Sequence, residues 1–311
     1  MKKIVIALGG NALQSSKGPA TAEAQLETVN ATCEYIAEIM QRDYEVAIVH
    51  GNGPQIGRIL LASETAKDVT PVMPFDVCGA MSQGYIGYHI QQGMRKALHK
   101  RGNTGRQVAS LVTQVVVDKN DPSFQNPTKP IGAFYTKEES DALAAEKGYV
   151  MKEDAGRGWR RVVASPLPVR INEIETVKYL LAGNTVLITC GGGGIPVVEG
   201  ADSLEGVAAV IDKDFSAEKL AEEIDADILM ILTEVEKAAI NFGKPEQVDL
   251  GEISVADAEK YIAEGHFAAG SMLPKVQAAV KFAKTGRKAI ITALDKAIPA
   301  LEGKTGTVIG G

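Results

Sequence analysis

Three cysteines are all this 311-residue chain has, and Cys33, Cys78 and Cys190 are odd in number and far apart. That spacing indicates neither a disulfide framework nor a CxxC metal pair. Aromatic residues are scarce at 5%. No apolar run approaches the roughly 18 residues of a membrane span. Met1-Lys2-Lys3 and the apolar stretch after it resemble the start of a signal peptide. That stretch is only about half the usual length and ends in a glycine turn. Basic charge is not in excess either. The formal net charge is −6, which argues against a non-specific nucleic-acid binder resting on clustered Lys and Arg. These absences point to a cytoplasmic protein with no nucleic-acid or membrane partner.

Several catalytic signatures are missing as well. No G-x-x-x-x-G-K-[ST] loop exists, because Gly303-Lys304-Thr305 has Ile298 where the first glycine belongs. Neither the dinucleotide-binding G-x-G-x-x-G nor the protein-kinase motif set occurs. Ser82-Gln83-Gly84 lacks the upstream glycine of a nucleophile elbow. His50, His89, His99 and His266 show no metal-ligand spacing.

What is present is a recurring design. Ile4-Val5-Ile6-Ala7-Leu8 runs into Gly9-Gly10-Asn11, and Val46-Ala47-Ile48-Val49-His50 runs into Gly51-Asn52-Gly53. Val186-Leu187-Ile188-Thr189-Cys190 runs into the four glycines 191–194. A buried strand ending in glycine lets backbone N–H groups approach an anion closely. The carboxyl ends of parallel strands are where open sheets bind ligands. Glycine also serves in any tight turn, but three copies favour an anionic or phosphorylated ligand.

A composition of 45% hydrophobic and 23% charged residues is that of an ordinary globular protein. Apolar runs alternate with helical periodicity. Residues 22–41 carry Leu26, Val29, Cys33, Ile36 and Met40 on one face. Further helices are expected over 81–100, 174–182, 217–224, 255–264 and 271–284. Strands are expected over 108–117, 228–232 and 289–292 and near Thr307. This alternation means βαβ units in a mostly parallel sheet with helices on both faces. Residues 118–168 break the rhythm with a polar, proline-punctuated stretch, which suggests a lid or small subdomain. Within it, 153–164 suggests a hairpin.

A phosphate-handling chain without a P-loop must bring its positive charge from elsewhere. Lys213 sits between Asp212 and Asp214, a pattern that alone would be an ordinary surface charge run. Lys275 opens a helix after Gly270-Ser271-Met272-Leu273-Pro274, where free N–H groups favour an anion. Ser271 alone would be only an N-cap. Lys129 lies between Pro127 and Pro130 in the polar excursion.

Together, residues 8–13 (LGGNAL), 50–55 (HGNGPQ), 127–132 (PTKPIG), 210–214 (VIDKD) and 270–275 (GSMLPK) resemble the carbamate kinases of the amino-acid kinase superfamily. The resemblance covers essentially the whole chain in one order. It implies a three-layer αβα sandwich with a mostly parallel central sheet and a small protruding lid subdomain at 118–168. An N-terminal lobe, 1–195, would bind carbamate and form a homodimer, and a C-terminal lobe, 196–311, would bind the nucleotide. The implied reaction is ATP plus carbamate to ADP plus carbamoyl phosphate, with Mg²⁺ accompanying the nucleotide. In fermenting organisms it commonly runs toward ATP, ending arginine breakdown by the deiminase route.

On that resemblance Lys129, Lys213, Lys275, Asp214 and Asn11 are the catalytic candidates. Gly9, Gly10, Gly51, Asn52 and Gly53 would hold the substrate. Asp212, Thr233, Val235, Ser271 and Met272 would face the nucleotide, with no metal ligand assigned. Many relatives carry a lysine just before the first Gly-Gly. Here Ala7-Leu8 stand in its place, which suits a carbamate kinase in which Lys129 takes over. Relatives often have an aromatic near Ala239. The rival expectations are another small-acid kinase of the superfamily and a nucleotide-binding regulator without catalysis.

Overall fold

The computed structural model describes residues 1–15, 18–154 and 156–310. The chain opens with β1 (Lys2–Leu8), α1 (Ala22–Met40), β2 (Tyr44–His50), α2 (Gly53–Thr65), α3 (Phe75–Lys100) and β3 (Val108–Ser110). The next strand, β4 (Gln114–Val117), leaves the main sheet, and the polar excursion follows. It comprises β5 (Lys129–Tyr135), α4 (Lys137–Lys147), β6 (Met151–Glu153) and β7 (Trp159–Val163). The chain returns through β8 (Pro168–Ile171), α5 (Ile174–Ala182), β9 (Val186–Ile188), β10 (Ile195–Glu199) and β11 (Leu204–Gly206). The last part holds α6 (Lys213–Glu223), β12 (Ile228–Thr233), β13 (Ala239–Ile240), β14 (Val248–Asp249) and β15 (Glu252–Ile253). It ends with α7 (Val255–Ala263), α8 (Met272–Ala283), β16 (Lys288–Ala293), α9 (Ala297–Leu301) and β17 (Thr307–Ile309).

The main sheet has eight strands in the order β15-β17-β16-β12-β1-β2-β9-β3, and only the β16–β17 pairing is antiparallel. Its central strands read as unbroken apolar runs because both faces are covered. Along β1 the side chains alternate between two cores. Val5 and Ala7 pack with Leu220 of α6 and Phe282 of α8. Ile4, Ile6 and Leu8 pack with Ile36 of α1 and Ile90 of α3. All of these β1 residues are fully buried, so the expected αβα sandwich is the observed one.

Four local expectations change. The single strand expected over 108–117 is two strands of different sheets, since β4 joins a four-stranded sheet with β10, β11 and β8. The break falls at Thr113. There the Gln83 side chain donates to the Thr113 carbonyl at 3.0 Å and accepts from its N–H at 2.8 Å. An α3 side chain thus takes the place of a ladder partner. Helix α3 starts at Phe75 rather than 81, behind an extended Pro74. Helix α6 starts at Lys213 rather than 217, capped by Asp212. Helix α2, unexpected after the Gly51-Asn52-Gly53 turn, uses Pro54 in its first turn, where a missing N–H costs nothing.

The excursion is a small antiparallel sheet, β5-β7-β6, with α4 beside it. The expected hairpin is β6–β7, pairing Met151 with Arg161 and Glu153 with Trp159. Ala155, within that expected hairpin, lies outside the described residues.

The glycine run 191–194, whose Gly192 lies at the same end of the sheet as the other two strand ends, is packed more tightly than they are. It forms a tight turn pressed between layers, and a Cβ on Gly193 would collide with the Ile211 carbonyl. Ser216 of α6 donates to the Gly193 carbonyl at 2.6 Å. Gly193 also has φ +89°, which L side chains rarely adopt. Gly193→Ala should therefore cost about 1–3 kcal/mol, visible as a lowered Tm in scanning calorimetry. An unchanged Tm would mean that this packing is not tight.

Candidate functional site

Five charges converge where α6 and α8 begin and the lid strand β5 starts. Asp212 is the N-cap of α6, and its Oδ1 accepts from the Asp214 N–H at 2.9 Å. This turn points Lys213 and Asp214 inward. Asp214 is 1% exposed. Its Oδ1 accepts from Lys213 Nζ at 2.6 Å and its Oδ2 from Lys275 Nζ at 3.0 Å. Lys129 reaches over from the lid to ion-pair with the other oxygen of Asp212. Three lysines thus meet two carboxylates, leaving one positive charge in excess. They line one cavity of about 190 Å³ together with Gly10, Gly51, Asn52 and Gly53.

Burial and charge set the proton affinities. Burial pushes the Asp212 carboxyl up, but Lys129 and Lys213 together hold it well below the usual carboxylate range. Burial pushes Lys213 below the ordinary lysine value, and neighbouring Lys275 adds to that against the pull of Asp214 and Asp212. Burial works against Lys275 as well, yet the charge and hydrogen bond of Asp214 raise it above that value. Lys213 is therefore the more easily deprotonated of the two lysines on Asp214.

The backbone adds donors. Gly51 follows His50, which burial holds down to about 4, so the ring is neutral at pH 7. His50 Nδ1 lies 2.9 Å from the Gly51 carbonyl. A carbonyl only accepts, so Nδ1 carries the proton and clamps the turn. Asn52 precedes α2 without capping it, donating instead to Ser82 Oγ at 2.8 Å. Ser271 likewise forms no side-chain cap on α8. The N-termini of α2 and α8 therefore lie beside the lysines without a side-chain cap, and a helix N-terminus is a favourable setting for an anion.

Two further cavities extend from the charged one. The first, about 420 Å³, is lined by Gly9, Gly10, Asn11, Arg157, Thr233 and Lys275. The second, about 220 Å³, is lined by Thr233, Val235, Phe242, Phe267, Ser271 and Met272. Gly10 and Lys275 line both the charged cavity and the middle one. Thr233 and Ser271 line both the middle one and the apolar end. A charged end, a glycine-and-hydroxyl middle and an apolar end match a phosphate chain carrying an aromatic base.

Lys129, Lys213, Lys275 and Asp214 are brought together, with Gly10, Gly51, Asn52 and Gly53 around them. Gly9 and Asn11 lie in the middle cavity. Thr233, Val235, Ser271 and Met272 lie toward the apolar end. Asp212, expected on the nucleotide side, sits with Lys129 in the charged cavity. Sequence reasoning did not single out Phe242, Phe267 or Arg157. Phe242, three residues after Ala239 and 66% exposed, places an aromatic ring at the apolar end. Its signal is a large exposed ring in the turn between β13 and β14.

Lys213 must be protonated to neutralise an anion, and its lowered proton affinity means that the charge is lost before an ordinary lysine would lose it. The free-enzyme profile, kcat/KM against pH, should therefore fall on the alkaline side below the ordinary lysine value of 10.5. Lys213→Arg, which stays charged, should remove that alkaline limb from the residual activity. A limb retained in Lys213→Arg would assign the titration elsewhere.

The amino acid kinase family model matches residues 2–293. The carbamate kinase of Clostridium perfringens is 57% identical over 312 residues, 99% of each chain. That of Pyrococcus horikoshii is 53% identical over 311 residues, again 99% of each. The solved carbamate kinase of Giardia lamblia bound to AMP-PNP superposes with a TM-score of 0.91 at 45% identity, covering 99% of this chain and 98% of that one. The chain belongs to the amino acid kinase family and, within it, to the carbamate kinases.

Proposed function

We propose that this protein is a carbamate kinase, a phosphotransferase that moves a phosphoryl group between ATP and carbamate in either direction. The observation that carries this is the lysine cluster on Asp214 opening into a trough with an apolar, aromatic end. In-line phosphoryl transfer asks little covalent chemistry of the protein, only alignment and charge stabilisation. Lys213 and Lys275 neutralise the oxygens of the moving group. Asp214 holds both ammonium groups in place and accepts no proton from substrate, since carbamate is already an anion. Gly9, Gly10 and Asn11 donate to the moving phosphoryl group, and Gly51, Asn52 and Gly53 hold carbamate. Lys129 closes over both from the lid. Residues 1–195 form the carbamate lobe, with 118–168 as its lid, and 196–311 form the nucleotide lobe.

Among the described residues no group of three or more His, Cys, Asp and Glu could hold a metal ion. Mg²⁺ accompanying the nucleotide would neutralise phosphate charge there, held by phosphate oxygens, its own waters and at most one or two carboxylates, its usual way of binding. Among the described residues, no helix is long and apolar enough to cross a membrane. The three cysteines are buried and free, which suits the reducing cytoplasm.

A homodimer is supported by one apolar stripe. Val77, Met81 and Tyr88 follow helical spacing on the outer face of α3 and are exposed, as is Val112 just beyond the edge strand β3. Light scattering should give twice the 32.9 kDa chain mass, and Met81→Glu should lower it to one. A wild-type protein of single mass would overturn the dimer.

A coupled assay for ATP formation from carbamoyl phosphate and ADP tests the activity. No turnover with Mg²⁺ present, beside measurable ADP binding, rejects the assignment. Lys129→Ala should lower kcat on the order of 10²-fold, as loss of one preorganised charge donor does, with ADP affinity nearly unchanged. A rate within about threefold of wild type would make Lys129 an ordinary surface charge.

A further inference from the structure

The lid carries a second cation aimed at the site. Arg157 stands in the turn between β6 and β7, and it lines the same cavity as Gly9, Gly10, Asn11 and Lys275. Lys129, by contrast, lines the charged cavity, which shares Lys275 with this one. The two lid cations therefore serve different parts of the trough.

Arg157 is held in a defined place. Its Nη2 lies 3.0 Å from Asp154 Oδ1, and its guanidinium stands 5.0 Å from the centre of the Phe134 ring. Arg160 shares both supports. It lies 3.2 Å from Asp154 Oδ2 and 5.0 Å from the same ring, and it donates to the Gly132 carbonyl at 3.0 Å. Asp154 thus serves two guanidiniums, and one positive charge is left over. Arg160 is the less exposed anchor, its side chain at 13%, while that of Arg157 is 63% exposed. An ion pair so exposed contributes little by itself, so stabilising the lid does not account for placing this charge over the trough.

The cavity beneath is lined by more positive than negative side chains. Among the described residues, Glu234 is the only acidic one lining it, against Arg157 and Lys275. The glycine turn 9–10 adds backbone donors on the same side. A cavity with cations on two walls and glycine on a third suits an extended anion. The planar fork of arginine can grip two phosphate oxygens at once, which a lysine cannot.

We propose that Arg157 binds the phosphates of the nucleotide from the lid, so that the lid carries one cation for each substrate. This rests on the kinase assignment above. Nucleotide alone then favours the closed lid, because it makes a contact there that the open lid does not offer. Lys129 adds the contact that depends on carbamate or carbamoyl phosphate.

The test uses the full chain as wild type, Arg157→Ala and Arg157→Lys, with ADP and adenosine as calorimetric probes. Arg157→Ala should weaken ADP binding on the order of tenfold, the worth of one hydrogen bond to a charged group. Adenosine, which lacks phosphates, should change by less than about twofold. Arg157→Lys should fall between wild type and Arg157→Ala. Hydrogen exchange in residues 118–168 should slow when ADP is added to the wild type and not when it is added to Arg157→Ala. Wild-type ADP affinity in Arg157→Ala overturns the proposal, and so does an equal loss for ADP and adenosine. These readouts do not need turnover. A wild type that binds ADP but makes no ATP would sink the kinase assignment while leaving the phosphate role of Arg157 measurable.

Discussion

The site depends on one buried carboxylate. Asp214, 1% exposed, holds Lys213 on one oxygen and Lys275 on the other. Two ammonium groups that close would repel each other and, on burial, shed protons. Asp214 works against this, fully for Lys275 and only in part for Lys213, and fixes both ammonium groups in position. Removing one member of such a buried set costs far more than the pairs are worth against apolar replacements. The cluster therefore serves positioning rather than stability. Asp212 continues the scheme one turn outward, capping α6 while giving Lys129 of the lid a place to dock.

The sheet brings these parts to one place. Strands β12, β1 and β2 lie side by side and parallel, so Thr233, Gly9 and Gly51 emerge from the same edge. Helices α2, α6 and α8 begin near that edge, and their N-termini turn toward it. The site occupies the region beyond the carboxyl ends of a parallel sheet, where backbone donors and helix dipoles already favour anions. Side-chain chemistry adds the lysines to a place that the backbone had made receptive.

The lid is small but not loosely attached. Glu64 of α2 takes Lys147 at 2.5 Å and lies 3.7 Å from Arg161, joining α2 to both α4 and β7. Tyr149 also donates to Glu64. Arg161 in turn stacks 3.7 Å from the Tyr149 ring centre. The pocket these residues line shares Ile131 with the charged cavity, so the excursion is tied to α2 close to the site.

Much of this was legible in the order of residues. Apolar runs ending in glycine marked the site edge, and helical spacing over 22–41 gave α1 almost to its ends. Val210 to Asp214 and Gly270 to Lys275 pointed to the lysines, because charge set beside a strand end or helix start is local information. Other features were not local. The third glycine run reads like the other two, yet its turn is packed against the Ile211 carbonyl and the Asn52 side chain. Nothing in residues 108–117 says that Gln83 will take over the backbone of Thr113 and split the strand. That Lys213 and Lys275, 62 residues apart in sequence, share one carboxylate was decided by α6 and α8 packing side by side. The sequence by itself determined the alternation, the glycine ends and the supply of cations, since each follows from neighbours along the chain. Only the tertiary structure decided which charges meet, because burial and pairing depend on what distant segments bring.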